Sequence, residues 1–111
     1  MTQIQIDSLV EVTTTVGTIS DAEKIAHALI ERRLAACVQI TGPVTSVYRW
    51  QGAVHHDQEW RCTIKTTSAL VDQIMLAIKE MHPYEVPEIL CIPILKSHPD
   101  YERWLRESVS Q

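Results

Sequence analysis

The sequence predicts an α+β domain in which two helices lie on one face of a four-stranded antiparallel sheet. Three observations lead to that class. Residues 20–30 and 68–81 carry apolar side chains at helical spacing, while four other stretches alternate or run apolar over strand lengths. In chain order these read strand, helix, strand, strand, helix, strand, the split β-α-β or ferredoxin-like pattern. The two middle strands are separated by one polar connection, which makes them a long hairpin, and a last amphipathic stretch adds an extra C-terminal helix. At 111 residues the chain is expected to be a single domain spanning 1–111.

The first strand is expected around LVEV, residues 9–12, running into TTTVGT as a polar turn with Gly17 as its flexible point. Ser20 then stands as an N-cap with Glu23 three positions on, a reciprocal capping box, ahead of a stripe of Ala22, Ile25, Ala26, Leu29 and Ile30. LAACVQI, residues 34–40, and VTSVYRW, residues 44–50, read as one long strand broken by a bulge or bend at Gly42 and Pro43. QGAVHHD, residues 51–57, is the polar connection to EWRCTIKT, where Trp60, Cys62, Ile64 and Thr66 face one way and Arg61, Thr63 and Lys65 the other. The second helix starts from Ser68, carries Leu70, Val71, Ile74, Ala77, Ile78 and Met81, and stops near His82 because Pro83 restricts the residue before it. EILCIPI, residues 88–94, is expected to be a mostly buried strand, with Pro93 at an edge, an end or a bulge since it donates no ladder hydrogen bond. Pro99 near a first turn, with Tyr101, Trp104, Leu105 and Val109 along one face, makes the final helix.

Composition narrows the function classes. The chain has no Phe beside three Trp and three Tyr, so its core is mainly aliphatic. Asp plus Glu outnumber Lys plus Arg by 14 to 10, a net charge of -4, and no basic run suits a phosphate backbone, so no nucleic-acid partner is expected. MTQIQIDSLVEV lacks both a basic opening and an unbroken apolar core, and no segment approaches the roughly 20 apolar residues of a membrane span. A cytoplasmic location with no membrane partner is therefore expected. Cys37, Cys62 and Cys91 are odd in number, widely spaced and set in apolar stretches, which predicts three buried thiols in a reducing compartment. Val47 beside Tyr48 and Trp50, and Leu90 and Ile92 beside Cys91, put apolar groups on the sheet face that the helices leave open, which predicts contact with sister subunits.

The chemistry-bearing residues gather near MHPYEVPEI, residues 81–89. Pro83 and Pro87 fix φ on either side of Tyr84, Glu85 and Val86, so the segment is a stiff link from helix to final strand, and His82 is either a polar helix-end residue or a metal ligand. No local window supplies the three or four ligands a transition-metal site wants, and the adjacent His55 and His56 point apart on an extended chain. His27 and His98 read as surface groups, His98 at the entry to the final helix, and Cys37 as an inert thiol. Glu59, Lys65, Tyr84 and Glu85 form a loose polar set that reads either as a salt bridge or as a pocket for a small anion or carboxylate ligand. There is no G-x-S-x-G elbow, no phosphate loop and no C-x-x-C pair, so no enzyme activity is expected.

Taken together, LAACVQI, S-x-Y-x-W-x-G at 46–52, KTT at 65–67, HPYEVPEI at 82–89 and Y-x-x-W at 101–104 resemble the CutA family of divalent-cation tolerance proteins over about nine-tenths of the chain. The resemblance implies a cytoplasmic homotrimer of ferredoxin-like subunits associated with tolerance to copper and other divalent cations, with no established reaction. Members for which copper ligands are proposed have a cysteine where Thr14 stands and two histidines where Met81 and His82 stand. The resemblance therefore leaves His82 as the metal ligand, requires no cofactor, and allows Cu(II) or another divalent cation to bind weakly. The alternative it carries is a trimeric signalling or interaction scaffold, with Glu59, Lys65, Tyr84 and Glu85 lining clefts between subunits.

Overall fold

The structure, a computed structural model, describes residues 7–111. Its elements are β1 (Leu9–Val16), α1 (Ile19–Glu31), β2 (Cys37–Trp50), β3 (Ala53–Thr67), α2 (Val71–Met81), β4 (Leu90–Pro93) and α3 (Pro99–Ser108). The sheet order is β2-β3-β1-β4 and every neighbouring pair is antiparallel. This is the expected α+β, ferredoxin-like architecture with its long hairpin and added helix.

The core lies between the sheet and the helices. Val10, Val12 and Val16 of β1 and Cys62 and Ile64 of β3 meet Ile25 and Leu29 of α1 and Ile74 and Ile78 of α2. Alternation along β3 places Trp60, Cys62, Ile64 and Thr66 on the helix side, as read from the sequence, and Met81 packs against the same cluster. β1 runs four residues beyond LVEV, because β-branched Thr13, Thr14, Thr15 and Val16 suit an extended chain and pair with Thr63 through Trp60. The turn thus shrinks to Gly17 and Thr18. Thr18, extended at φ −137°, caps α1 by accepting from the Asp21 N–H at 3.1 Å, so the cap lies two residues before the expected Ser20. α2 ends as anticipated, with His82 in an extended conformation ahead of Pro83 and its N–H on the Ile78 carbonyl. His98 caps α3, its Nδ1 accepting from the Asp100 N–H at 3.1 Å.

The hairpin differs from expectation in its reach. AVHHD is not a loop: Ala53 already pairs with Trp50, and only Gln51 and Gly52, with φ of 51° and 81°, make the turn. Positive φ at both central positions is the tight hairpin turn that matches strand twist. The expected bulge falls between Thr41 and Val44, at a cis Gly42–Pro43 peptide. β1 pairs with β3 only as far as Trp60, so residues 44–50 and 53–59 project past the sheet as a two-stranded ribbon. At about 3.3 Å per residue that ribbon is about 23 Å long.

The apolar surface is also placed differently. Directly paired residues share a sheet face, so the open face carries Glu11, Thr13 and Thr15 beside Lys65, Thr63 and Arg61, and its centre is polar. The exposed apolar groups sit at its margins: Val47, Tyr48, Trp50 and Val54 on the ribbon, and Leu90 and Ile92 on the edge strand. β4 is accordingly exposed throughout rather than buried, because an edge strand has a neighbour on one side only. Pro93 closes that strand, at an edge and an end together. Of the three thiols expected to be buried, only Cys62 is; Cys37 is half-buried and Cys91, on the edge strand, is exposed. Tyr101 and Trp104 likewise stay exposed beside the buried Leu105 and Val109.

Thr14 faces the core opposite Cys62, fully buried, and its Oγ1 has no hydrogen-bond partner. A buried hydroxyl left unpaired costs about 1–3 kcal/mol. Thr14→Val, of nearly the same shape, is expected to raise unfolding free energy by about 1 kcal/mol in urea denaturation; an unchanged or lower midpoint would mean that the hydroxyl is satisfied in solution.

Candidate functional site

A cleft of about 810 Å³ opens where the ribbon leaves the sheet. Its walls are the ribbon residues Ser46, Val47, Tyr48, Trp50, Asp57, Gln58 and Glu59, the link residues Tyr84, Glu85, Val86 and Glu88, and Thr15 and Gly17 at the end of β1. The link is held over the sheet by His82. Its ring is buried, Nε2–H donates to the Thr15 carbonyl at 2.8 Å, and Nδ1 accepts from the Tyr84 N–H at 3.1 Å. Those two bonds fix one neutral tautomer and aim Tyr84 back at β3. The His82 and Tyr84 rings meet at a centroid distance of 4.7 Å.

Tyr84 donates its hydroxyl to Glu59 Oε2 at 2.8 Å. Glu59 is only 7% exposed although it belongs to the open face of β3, because the link covers it. Tyr48, stacked on His55 at 5.5 Å, donates its hydroxyl to Asp57. Burial first, then the Glu59 carboxylate, holds the Tyr84 hydroxyl well above the usual tyrosine range. The bond to Asp57 raises that of Tyr48. Both phenols therefore remain donors at neutral pH, each facing an acid. Among the described residues, no Lys, Arg or His lines the cleft.

Of the residues singled out in the sequence, the structure joins Glu59, Tyr84 and Glu85 at one cleft and places His82 directly behind it. Lys65 is not there. It lies six positions along β3 from Glu59, about 20 Å of strand, and its Nζ donates to Gln39 Oε1 at 2.9 Å. Among the described residues of one chain, Lys65 therefore brings no cation to the cleft. Tyr48, Trp50, Asp57 and Glu88 were missed, although the two-residue spacing of Tyr48 with Trp50 and of Asp57 with Glu59 would have placed each pair on one strand face. Reading residues 51–57 as loop hid that signal. Among the described residues, no three His, Cys, Asp or Glu side chains gather closely enough to hold a metal ion. Met81 packs on the core rather than beside a ligand.

A split β-α-β sheet with a projecting hairpin and a cleft at its root defines a ferredoxin-like α+β protein. The chain belongs to the CutA1 divalent ion tolerance protein family, whose model matches residues 10–108. It is 48% identical over 87 residues to the divalent-cation tolerance protein CutA of Thermus thermophilus, covering 78% of this chain and 84% of that one. It is 41% identical over 92 residues to Protein CutA of Mus musculus, covering 80% of this chain and about half, 52%, of the mouse protein's length. The crystal structure of divalent ion tolerance protein CutA1 from Ehrlichia chaffeensis superposes with a TM-score of 0.90 at 30% identity, over 96% of this chain and all of that one. Other relatives are named as chloroplastic or periplasmic.

Proposed function

We propose that the chain serves divalent-cation tolerance as a cytoplasmic homotrimer that binds its cation weakly and catalyses no reaction. Its relatives are named for tolerance and not for a reaction. The observation that carries the binding role is the character of the cleft: Asp57, Glu59, Glu85 and Glu88 line it without a basic side chain, so it attracts cations. Among the described residues no helix is long and apolar enough to cross a membrane.

His82 is the candidate copper ligand, since imidazole suits Cu(II). An incoming ion must take Nε2 from the Thr15 carbonyl or Nδ1 from the Tyr84 N–H, and that competition keeps the affinity low. Titration of the purified protein with Cu(II) is expected to show weak, saturable binding that His82→Ala diminishes. An affinity unchanged by that substitution would assign copper to other groups.

Support for the trimer comes from the ribbon and the edge strand. A lone two-stranded ribbon is marginal in water, and this one exposes Val47, Tyr48, Trp50 and Val54. Sister chains packed on it would shield both. Val47→Asp is expected to shift the sedimentation coefficient toward smaller species at micromolar concentration; an unshifted trimer would place Val47 outside the contact. A second reading, a trimeric scaffold that takes a small ligand or partner at clefts between subunits, is favoured by one observation. The cleft is about 810 Å³, within the range of small-molecule sites.

A further inference from the structure

We propose that the hydrogen bond from Tyr84 to Glu59 sets the angle at which the hairpin ribbon leaves the sheet, and thereby governs how firmly sister copies of this chain engage that ribbon. Its basis is the homotrimer reading above, and no cation or small ligand enters it.

The sheet loosens its hold at the root of the ribbon. β3 has β1 beside it from Thr67 to Trp60, and at Glu59 only β2 remains as a strand neighbour. The β2 register also slips there, between Thr41 and Val44, opposite Arg61 and Glu59. A bulge of that kind bends a strand pair and increases its twist. Two strands alone are marginal in water, so the direction of the ribbon has to come from contacts at its root.

Tyr84 supplies such a contact. Its hydroxyl donates to Glu59 Oε2 at 2.8 Å, and among the described residues this is the hydrogen bond that ties a ribbon side chain to a segment outside the hairpin, since Tyr48 bonds Asp57 within it. Tyr84 is itself held from behind. His82 accepts its N–H on Nδ1 at 3.1 Å and reaches the Thr15 carbonyl of β1 through Nε2 at 2.8 Å, while Lys79 of α2 donates to the Glu85 carbonyl. Pro83 and Pro87 fix φ on either side. A phenol on a segment pinned to both β1 and α2 passes that stiffness to Glu59, which is buried and has little room to shift. The bond thus continues the lateral support that β1 stops giving one residue earlier.

The ribbon magnifies any slack at its root. It is about 23 Å long, so a swing of about 10° carries its tip about 4 Å, far more than a well-packed interface tolerates. Val47, Tyr48, Trp50 and Val54 ride on that lever. Tyr84 is therefore a positioning residue for assembly, acting through Glu59.

Subunit exchange tests the proposal: isotope-labelled and unlabelled protein are mixed and the mixed trimers followed by native mass spectrometry. Tyr84→Phe, which keeps the ring and removes the donor, is expected to speed exchange by about tenfold, with far-ultraviolet circular dichroism unchanged. Glu59→Ala is expected to match it, and the double variant to exchange no faster than either single one, because one bond is lost once. Glu59→Gln retains an acceptor and is expected to stay within about twofold of the native rate; it also serves as the Glu59 variant should Glu59→Ala not fold. Native protein that flies only as single chains would remove the trimer and the proposal together. A native trimer whose exchange is unchanged by Tyr84→Phe would overturn the proposal alone. So would additive effects in the double variant, which would make Tyr84 a direct contact with a sister chain, or Glu59→Gln exchanging as fast as Tyr84→Phe, which would assign the effect to charge.

Discussion

Gly42→Ala is expected to lower the unfolding free energy by about 1–3 kcal/mol, the usual cost of an extra carbon forced into a packed site. A Cβ at Gly42 would stand 2.6 Å from Cδ1 and 2.9 Å from Cγ of Trp60, and 3.0 Å from the Glu59 carbonyl. None of those atoms is the loose end of a flexible side chain: two belong to the root of an indole and the third is backbone. Alanine also restricts the unfolded chain, which favours folding by about 0.4–1 kcal/mol, but that gain is smaller than the clash. Urea denaturation reads the loss. A stability loss below a few tenths of a kcal/mol would mean that the bulge can widen freely.

Stability is also expected to fall by about 2–3 kcal/mol as pH rises from about 9 to about 11, through one thiol. Cys62 is fully buried opposite Thr14 and its Sγ lies 3.7 Å from the Ala22 carbonyl. Burial pushes its pKa up from 9.0 to about 11. In that window the unfolded chain has already released the proton that the folded chain retains, so rising pH favours unfolding. The contribution is intact below pH 9 and flat above pH 11. Lysines and tyrosines titrate over the same range, and the measurement that isolates Cys62 is the difference in pH slope between the native protein and Cys62→Ala. Equal slopes would show that the thiol ionises in the folded state as it does in the unfolded one.

The fold was legible in the sequence because its signals are local and repeated. Ile25, Leu29, Ile74 and Ile78 mark two helix stripes, Cys62, Ile64 and Thr66 mark a half-buried strand, and Pro83 marks a stop. The cap of α1 was misplaced because Ser20 and Thr18 are both good caps, and the choice rests on where β1 ends. Exposure was misread wherever it depended on position in the sheet: the run that includes Leu90, Cys91 and Ile92 is apolar enough for a core but forms an edge. The site was half legible. The short segment from His82 to Glu85 declares itself, whereas Glu59 meets Tyr84 only through the pairing of distant strands. Lys65 looked like its partner although both fall on one predicted strand, where six positions already hold two side chains about 20 Å apart.

At the far end of the sheet, Arg106 of α3 donates to the Asp7 carbonyl at 2.7 Å and pairs with its carboxylate at 3.6 Å. The first and last stretches of the described chain are thereby clasped together beside Leu9 and Thr67, a strand's length, about 23 Å, from the pairing of Val16 with Trp60. A fluorophore or affinity handle carried on either stretch would emerge on the side away from Glu59, so surface immobilisation through it should leave the binding mouth unobstructed.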